Sequence, residues 1–354
     1  MKKMVSLLLT LTLLLSLTAC TGGGLQETQP TQTRTFTDDA GRTVEISAEI
    51  SRIVPSSALG QMILQAIAPE MLVGLASAPE EEAKGFDHEV LFDLPEFGGL
   101  YAGDNLNVEE LAKVAPQLII DMGEKKPSTI EDMDALQKQT LIPSVFLSTS
   151  LETMPETFRT LGRLLDKEEK GEELARFCEE TYNRTLSVME QVGDKKVKAL
   201  YVLGEDGLNV IATSSYHAEL MDLLTENLAV VENPISKGSG NAVTMEQIAL
   251  WDPEFVVFGP DSIYATVEDR SPWNQITAIV NGNYVEVPEL PDNWMSMPPS
   301  VQRYLGLIWL TAVLYPEYCD YDVKTEILEY YRLFNGCELT DEQYAFVTAN
   351  AFLP

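Results

Sequence analysis

Histidine and cysteine are scarce in this chain: two histidines, His88 and His217, and four cysteines among 354 residues. They form no Cys/His cluster with metal-ligand spacing, which argues against a dedicated transition-metal site. Basic residues are also in short supply. The 24 Lys and Arg stand against 55 Asp and Glu, a formal net charge of −31. Such acidity argues against nucleic acid or an anionic membrane as a partner, and most of it reads as a solubilising surface. Beyond the N-terminus no apolar run is long enough for a transmembrane helix. There is no P-loop, no G-x-G-x-x-G and no nucleophile elbow, so the usual nucleotide and acyl-transfer chemistries have no carrier and no enzyme is expected.

What is present begins with an address. Lys2 and Lys3, the apolar stretch Met4–Leu14 and the small-residue end Leu17-Thr18-Ala19-Cys20 form a secretion signal. Leu-Thr-Ala-Cys resembles a bacterial lipobox, in which Cys20 is lipid-modified and becomes the mature N-terminus. Residues 1–19 are then the signal and 20–35, rich in Gly, Gln, Thr and Pro, a flexible tether. The expected product is extracytoplasmic and lipid-anchored to the cell membrane. In that oxidising compartment Cys319 and Cys337 are close enough in sequence to pair and tie the last helices together. Cys178 lies on an apolar helical stripe and reads as core.

One phrase occurs twice. Asn107-Val-Glu-Glu-Leu-Ala-Lys-Val-Ala-Pro-Gln-Leu-Ile-Ile120 returns as Thr244-Met-Glu-Gln-Ile-Ala-Leu-Trp-Asp-Pro-Glu-Phe-Val-Val257, with Pro116 matched to Pro253 and Glu109 to Glu246 at a constant offset of 137. Each copy reads as a capping box, with Asn107 or Thr244 as the cap and Glu110 or Gln247 reaching back. A short helix, a Pro and an apolar run suited to a buried parallel strand follow. One α/β unit used twice predicts two similar lobes with a cleft between them, where ligands tend to bind.

Around the repeats, strand-like and helix-like segments alternate, as parallel βαβ units require. Residues 36–51 read as a hairpin turning at Ala40-Gly41. The expected division is an N-terminal α/β lobe over 36–150, a helical connector over 151–195 and a C-terminal α/β lobe with a helical tail over 196–354. Within the connector, Lys167 to Gln191 reads as one helix of roughly 37 Å at about 1.5 Å per residue, able to strut both lobes. Packing on one lobe alone is the other possibility.

The loop Pro291-Asp-Asn-Trp-Met-Ser-Met-Pro-Pro-Ser-Val-Gln-Arg303-Tyr304 follows a strand, where open α/β sheets bind ligands. Trp294 and Met295 offer flat or adaptable apolar area to a ligand. Arg303, in a first helical turn, opposes the helix dipole unless something anionic pairs with it. Two readings stand: the loop contacts a ligand, or Trp294 packs into the core and Arg303 pairs with a nearby acid. Tyr101, on the Gly-rich loop Gly98-Gly-Leu-Tyr-Ala-Gly, lines the cleft or anchors the loop. Tyr216 and His217 open a helix, with His217 a ligand contact or a surface residue. Glu109 and Glu246 occupy N2 of equivalent helices. The caps do not need them, so each is free to point outward, one per lobe.

Together these features resemble the substrate-binding lipoproteins of ABC importers for iron complexes and cobalamin. The resemblance runs from about Thr37 to Pro316. It is carried by Asp38-Asp-Ala-Gly-Arg-Thr-Val-Glu-Ile, Arg52-Ile-Val, both Glu/Pro repeats, Asn293-Trp294 and Ser300-Val-Gln-Arg-Tyr-Leu-Gly-Leu. It implies two α/β lobes joined by a long rigid helix, with the ligand held between them. By the same resemblance Glu109 and Glu246 fall where the lobes pair with arginines of the permease dimer, Trp294 where the second lobe contacts ligand, and Tyr101 where the first lobe offers an aromatic. The expected cargo is a ferric siderophore or haem, with a corrinoid or another metal chelate as the alternative. The partners are an ABC permease dimer and its ATPase. The family often has a Trp shortly before the second repeat; Lys237-Gly-Ser-Gly-Asn-Ala-Val has none. An enzyme on a similar bilobal scaffold is the competing hypothesis.

Overall fold

The computed structural model describes residues 32–99 and 108–353. Cys20, Tyr101 and Asn107 lie outside the described residues.

The chain opens with an antiparallel hairpin, β1 (Thr33–Thr37) and β2 (Thr43–Ser47), paired from Thr33↔Ser47 to Thr37↔Thr43. Alternation decides its faces: Val44 and Ile46 are buried while Thr43 and Glu45 are exposed. The turn is at Gly41, as expected, whose φ of +92° suits a residue without Cβ. The tip is fastened to the neighbouring lobe. Asp38 accepts from the Arg42 and Phe146 amides, Asp39 accepts from the Ser148 amide, and Arg42 donates to the Ser144 carbonyl. The Asp38-Asp-Ala-Gly-Arg motif is thus a clasp.

The first lobe continues with β3 (Ile53–Pro55), α1 (Ala58–Ile67), α2 (Val108–Lys113), β4 (Leu118–Gly123), α3 (Thr129–Thr140) and β5 (Ser144–Ser148). Strands β3, β4 and β5 form a parallel sheet in that order, and every residue of β4 is buried. Covered on both faces, such strands read as continuous apolar runs.

Two helices follow, α4 (Met154–Leu165) and the 25-residue α5 (Glu168–Val192). They pack closely because Gly162 faces Gly171. A Cβ on Gly171 would sit 2.6 Å from the Phe158 carbonyl oxygen and 3.0 Å from the Gly162 Cα. Gly171→Ala is therefore expected to lose about 1–3 kcal/mol through overpacking, in spite of alanine's better helix propensity. Urea denaturation checks this; parental stability would mean that the helices separate freely. Helix α5 also packs against the later helix over Arg303–Leu314, and so joins the lobes.

The second lobe holds β6 (Lys198–Leu203), β7 (Asn209–Val210), α6 (Glu219–Leu224), β8 (Glu226–Asn227), β9 (Asn241–Ala242), α7 (Met245–Trp251), β10 (Phe255–Phe258), α8 (Thr277–Val280) and β11 (Tyr284–Glu286). Its sheet runs β11-β10-β6-β7-β9, with β8 also on β6; pairings of β6 with β8 and β10, and of β10 with β11, are parallel. The repeated phrase is repeated in backbone too. Ala115 and Asp252, the residues before Pro116 and Pro253, both leave their helices in the left-handed region, at φ 43° and 41°. A following proline disfavours continued helix there. Thr244 and Gln247 complete the predicted capping box.

Helices α9 (Arg303–Leu314), α10 (Val323–Tyr330) and α11 (Asp341–Val347) end the chain, with a π-turn over Tyr331–Asn335. This tail crosses back to the first lobe. Asn335 Nδ2 donates to Asp87 at 3.3 Å, and His88 Nε2 lies 3.3 Å from the Phe334 carbonyl. The expected Cys319–Cys337 disulfide is corrected: both are free thiols. The Cys337 thiol is drawn to the Gly85 carbonyl, and Cys319 instead faces the Tyr321 hydroxyl. Cys178 is a buried core residue. No helix among the described residues is long and apolar enough to cross a membrane.

Candidate functional site

A cleft of about 420 Å³ opens between the lobes. The first-lobe wall comes from the carboxyl end of β4 (Asp121, Met122, Gly123), the starts of α1 and α3 (Ser57, Thr129), and Phe146 of β5. Carboxyl ends of parallel strands are where open α/β sheets leave a crevice. The opposite wall comes from Tyr216, His217, Ser236 and Pro299.

Hydrogen bonds across the lobes close the base of this cleft. Tyr216 donates its hydroxyl to the Thr149 carbonyl at 2.8 Å, and the Leu151 amide donates to Glu219 at 2.9 Å. The Tyr304 hydroxyl donates to the Leu151 carbonyl at 2.6 Å, and the Ser300 hydroxyl to the Leu59 carbonyl at 2.8 Å. Such a base holds the lobes at one separation.

His217 is placed for contact with a guest. Its Nδ1 lies 2.6 Å from the Ser296 carbonyl oxygen, which can only accept, so Nδ1 carries the proton. Burial holds its pKa below the ordinary histidine value, the Ser296 contact opposes this, and Arg303 and Lys126 lower it further. The ring is therefore neutral at neutral pH, and Nε2 offers a lone pair to a hydrogen-bond donor or a metal. Burial raises the Tyr216 pKa, so that hydroxyl stays protonated. Among the charged lining residues, Asp121, Glu124 and Asp132 outnumber Lys126. Asp121 is buried and accepts from the Ser56 hydroxyl.

The remaining expectations divide sharply. Tyr216 and His217 come together at the cleft, whereas of the two readings of the 291–304 loop the structure shows the one in which Trp294 packs into the core, and Met295 goes with it. These are 0% and 1% exposed, in the core. The Trp294 ring centroid lies 6.2 Å from that of Trp309 and 6.5 Å from that of Tyr331. Asn293 turns the loop inward by accepting from the Met295 and Ser296 amides. Arg303 is 1% exposed, ion-paired with Glu219, and donates to the Ser300 carbonyl; its guanidinium lies 5.3 Å from the centre of the Tyr216 ring. It buttresses the cleft from below, and the anion that relieves it belongs to the protein. Ser57, Thr129, Ser236 and Phe146 were not anticipated. Ser57 and Thr129 each follow a strand at a helix start, and that position was the available signal.

Glu109 and Glu246 are both exposed, each at the second position of its short helix. The Glu246 carboxyl is held below its ordinary pKa by its own backbone N–H and by the Thr244 hydroxyl. One turn further along α7, Leu250 is 83% exposed.

Residues 62–290 match the periplasmic binding protein family. Among solved structures, an ABC transporter solute binding protein from Sulfurospirillum deleyianum is 27% identical, with a TM-score of 0.80 over 89% of this chain and 99% of that one. Haemophilus influenzae MolA bound to molybdate is 19% identical, with a TM-score of 0.68 over 87% and 99%. Helicobacter pylori CeuE in a Ni–His complex is 15% identical, with a TM-score of 0.63 over 89% and 99%. The last two show likeness of fold alone. No curated protein matches the sequence.

Proposed function

The chain belongs to the periplasmic binding protein family, and we propose that it is the substrate-binding lipoprotein of an ABC importer that captures an iron complex and delivers it to the permease. The coarser part, a solute-binding protein working with a permease and an ATPase, follows from the family and its structural neighbours. The cargo is the finer part. What supports it is the cleft: a cavity of about 420 Å³ between two lobes pinned together at the base, with a neutral imidazole on one wall. That volume suits a compact chelate of drug-like size.

Charge narrows the class. Neighbours of this fold hold molybdate in one case and a Ni–His complex in another, so fold alone does not choose. Three carboxylates against one lysine in the described lining disfavour a free oxyanion. They favour a complex of zero or positive net charge, as a ferric hydroxamate carries, over a strongly anionic chelate or haem with its two propionates. A neutral corrinoid is the second reading, favoured by the same charge argument. Cys20, with its lipobox-like context, would anchor the protein at the outer face of the membrane.

The test is a tryptophan-fluorescence titration of the mature chain lacking Cys20, with ferric hydroxamates, ferric catecholates, haem, cobalamin and molybdate. Saturable quenching by a neutral or cationic iron complex at sub-micromolar concentration is expected. Preference for molybdate would overturn the charge argument. His217→Ala is expected to weaken cargo binding by about tenfold or more, the usual effect of losing a directed contact worth about 1.4 kcal/mol, with little change in Tm. Unchanged affinity would remove His217 from the site.

A further inference from the structure

Three hydroxyls line the cleft, those of Ser57 and Thr129 on the first lobe and of Ser236 on the second. All three have the same local arrangement. Ser57 caps α1 and accepts from the Gly60 amide at 3.3 Å. Thr129 opens α3 and accepts from the Lys126 amide at 2.9 Å. Ser236, in the loop between β8 and β9, accepts from the Tyr216 amide at 3.2 Å. In each case a backbone N–H occupies one lone pair and fixes where the hydroxyl oxygen stands, while the hydroxyl proton is left over.

None of the three protons is given to an acceptor among the described residues. Thr129 is the most telling, because it is only 6% exposed and the surface it keeps opens on the cleft. An enclosed donor without an acceptor is unfavourable, and an oxygen brought by the cargo removes that cost.

The other polar groups of the lining are engaged or stand outside. Tyr216 gives its proton to the Thr149 carbonyl, and His217 its Nδ1 proton to the Ser296 carbonyl. Asp121 accepts from the Ser56 hydroxyl. Glu124, Lys126 and Asp132 are exposed, at the rim, where water and salt screen their charge. Behind the rim the unengaged donors are therefore neutral hydroxyls. Such donors match uncharged oxygens, whereas a full anion is ordinarily met by arginine or lysine.

Resting on the reading of this cleft as the cargo site, we propose that Ser57, Thr129 and Ser236 are preset hydrogen-bond donors to uncharged oxygen atoms of the cargo. The class they select is a chelate whose surface shows carbonyl-type oxygens. Two cargoes share that chemistry: a ferric hydroxamate, whose oxygens the metal neutralises, and a corrinoid with its amide oxygens. Because the donors stand on both walls, either would be held by both lobes at once. The hydroxyl oxygens are already fixed by backbone N–H groups, so binding costs little side-chain freedom.

The test is calorimetric titration of the mature chain lacking Cys20 with ferrioxamine B as the hydroxamate, cyanocobalamin as the corrinoid and molybdate as a free oxyanion. Thr129→Val, which keeps the shape and removes the hydroxyl, Ser57→Ala and Ser236→Ala are each expected to weaken binding about three- to tenfold, the range of one neutral hydrogen bond. Thr129→Ser, which puts the hydroxyl back, is expected to recover most of the Thr129→Val loss. Ser57→Ala also removes a helix cap and lowers Tm, so its affinity is read below the onset of unfolding. Ser236→Ala, in an exposed loop, is expected to lose affinity at parental Tm, which a merely structural role would not produce. Losses confined to ferrioxamine B, or to cyanocobalamin, support the donor set and name the source of the oxygens. Parental affinity in all three single variants, for whichever probe binds, would overturn the donor set and leave three solvated hydroxyls while the cargo reading stands. Preference for molybdate would overturn the uncharged-acceptor class. A parent chain that binds none of the probes would overturn the cargo reading itself, and this assignment with it.

Discussion

Trp294→Ala is expected to lower the unfolding free energy by about 3–5 kcal/mol, as truncation of a buried aromatic does, while the cargo affinity of the folded fraction stays within a few-fold. The ring is wholly buried. It stands edge-on to Trp309 of α9 and to Tyr331 of the π-turn, and so joins the helix behind the cleft to the tail that reaches the first lobe. Edge-to-face aromatic contacts add about 0.5–1.5 kcal/mol beyond area burial. A truncation here opens a cavity at a junction of three elements that cannot close independently. The loss is read by guanidinium denaturation and affinity by titration at low temperature, where the variant remains folded. Trp294→Phe, which keeps much of the volume, is expected to recover part of the stability. A Trp294→Ala protein of parental stability with weakened cargo binding would return this side chain to the cleft.

That expected result also shows what the sequence could and could not convey. The repeated unit was legible because everything that defines it is local: a cap, the residue three positions on, a helix, a proline and an apolar run. The left-handed residues Ala115 and Asp252 are its backbone counterpart. The long connecting helix was legible for the same reason, and ends at Val192, one residue past the expected Gln191. The loop over residues 291–304 was not. A Trp and a Met after a strand look the same in sequence whether the chain turns them toward solvent or inward. Here the turn is decided by Asn293, which accepts two amides of its own loop. Arg303 was read correctly as a cation needing an anion, but its partner Glu219 lies 84 residues away on another helix. Contacts of that range leave no local trace. The tail is the extreme case: Asn335 meets Asp87 across 248 residues, and the Cys337 thiol meets Gly85 across 252. Sequence proximity suggested a Cys319–Cys337 bridge, whereas the π-turn carries Cys337 to the first lobe.

The pair Glu109 and Glu246 gives the other large effect. Under the proposed docking role, Glu109→Ala combined with Glu246→Ala is expected to reduce uptake by about 100-fold or more while leaving cargo affinity unchanged. Each acid occupies the second helical position. In the second lobe the capping box is built by Thr244 and Gln247, so removing the Glu246 carboxylate leaves that box in place. Both side chains are exposed and sit in copies of one local structure, which ends each helix in the same left-handed step before a proline. Two equal acids on two equal helices match a partner that is itself two-fold symmetric, such as a permease dimer. An exposed ion pair contributes at most about 1 kcal/mol, but a pair desolvated in an interface costs about 2–5 kcal/mol when one side is truncated. Leu250, on the same exposed helix as Glu246, supplies apolar surface that would exclude water there. Either single variant is then expected to lose about tenfold in uptake, and the double variant at least the product of the two. Transport assays in cells read the first quantity and fluorescence titration the second. A double variant that transports normally would remove the acids from the docking surface. One that loses cargo affinity instead would place them in the binding machinery, a role their positions on the outer helices do not support.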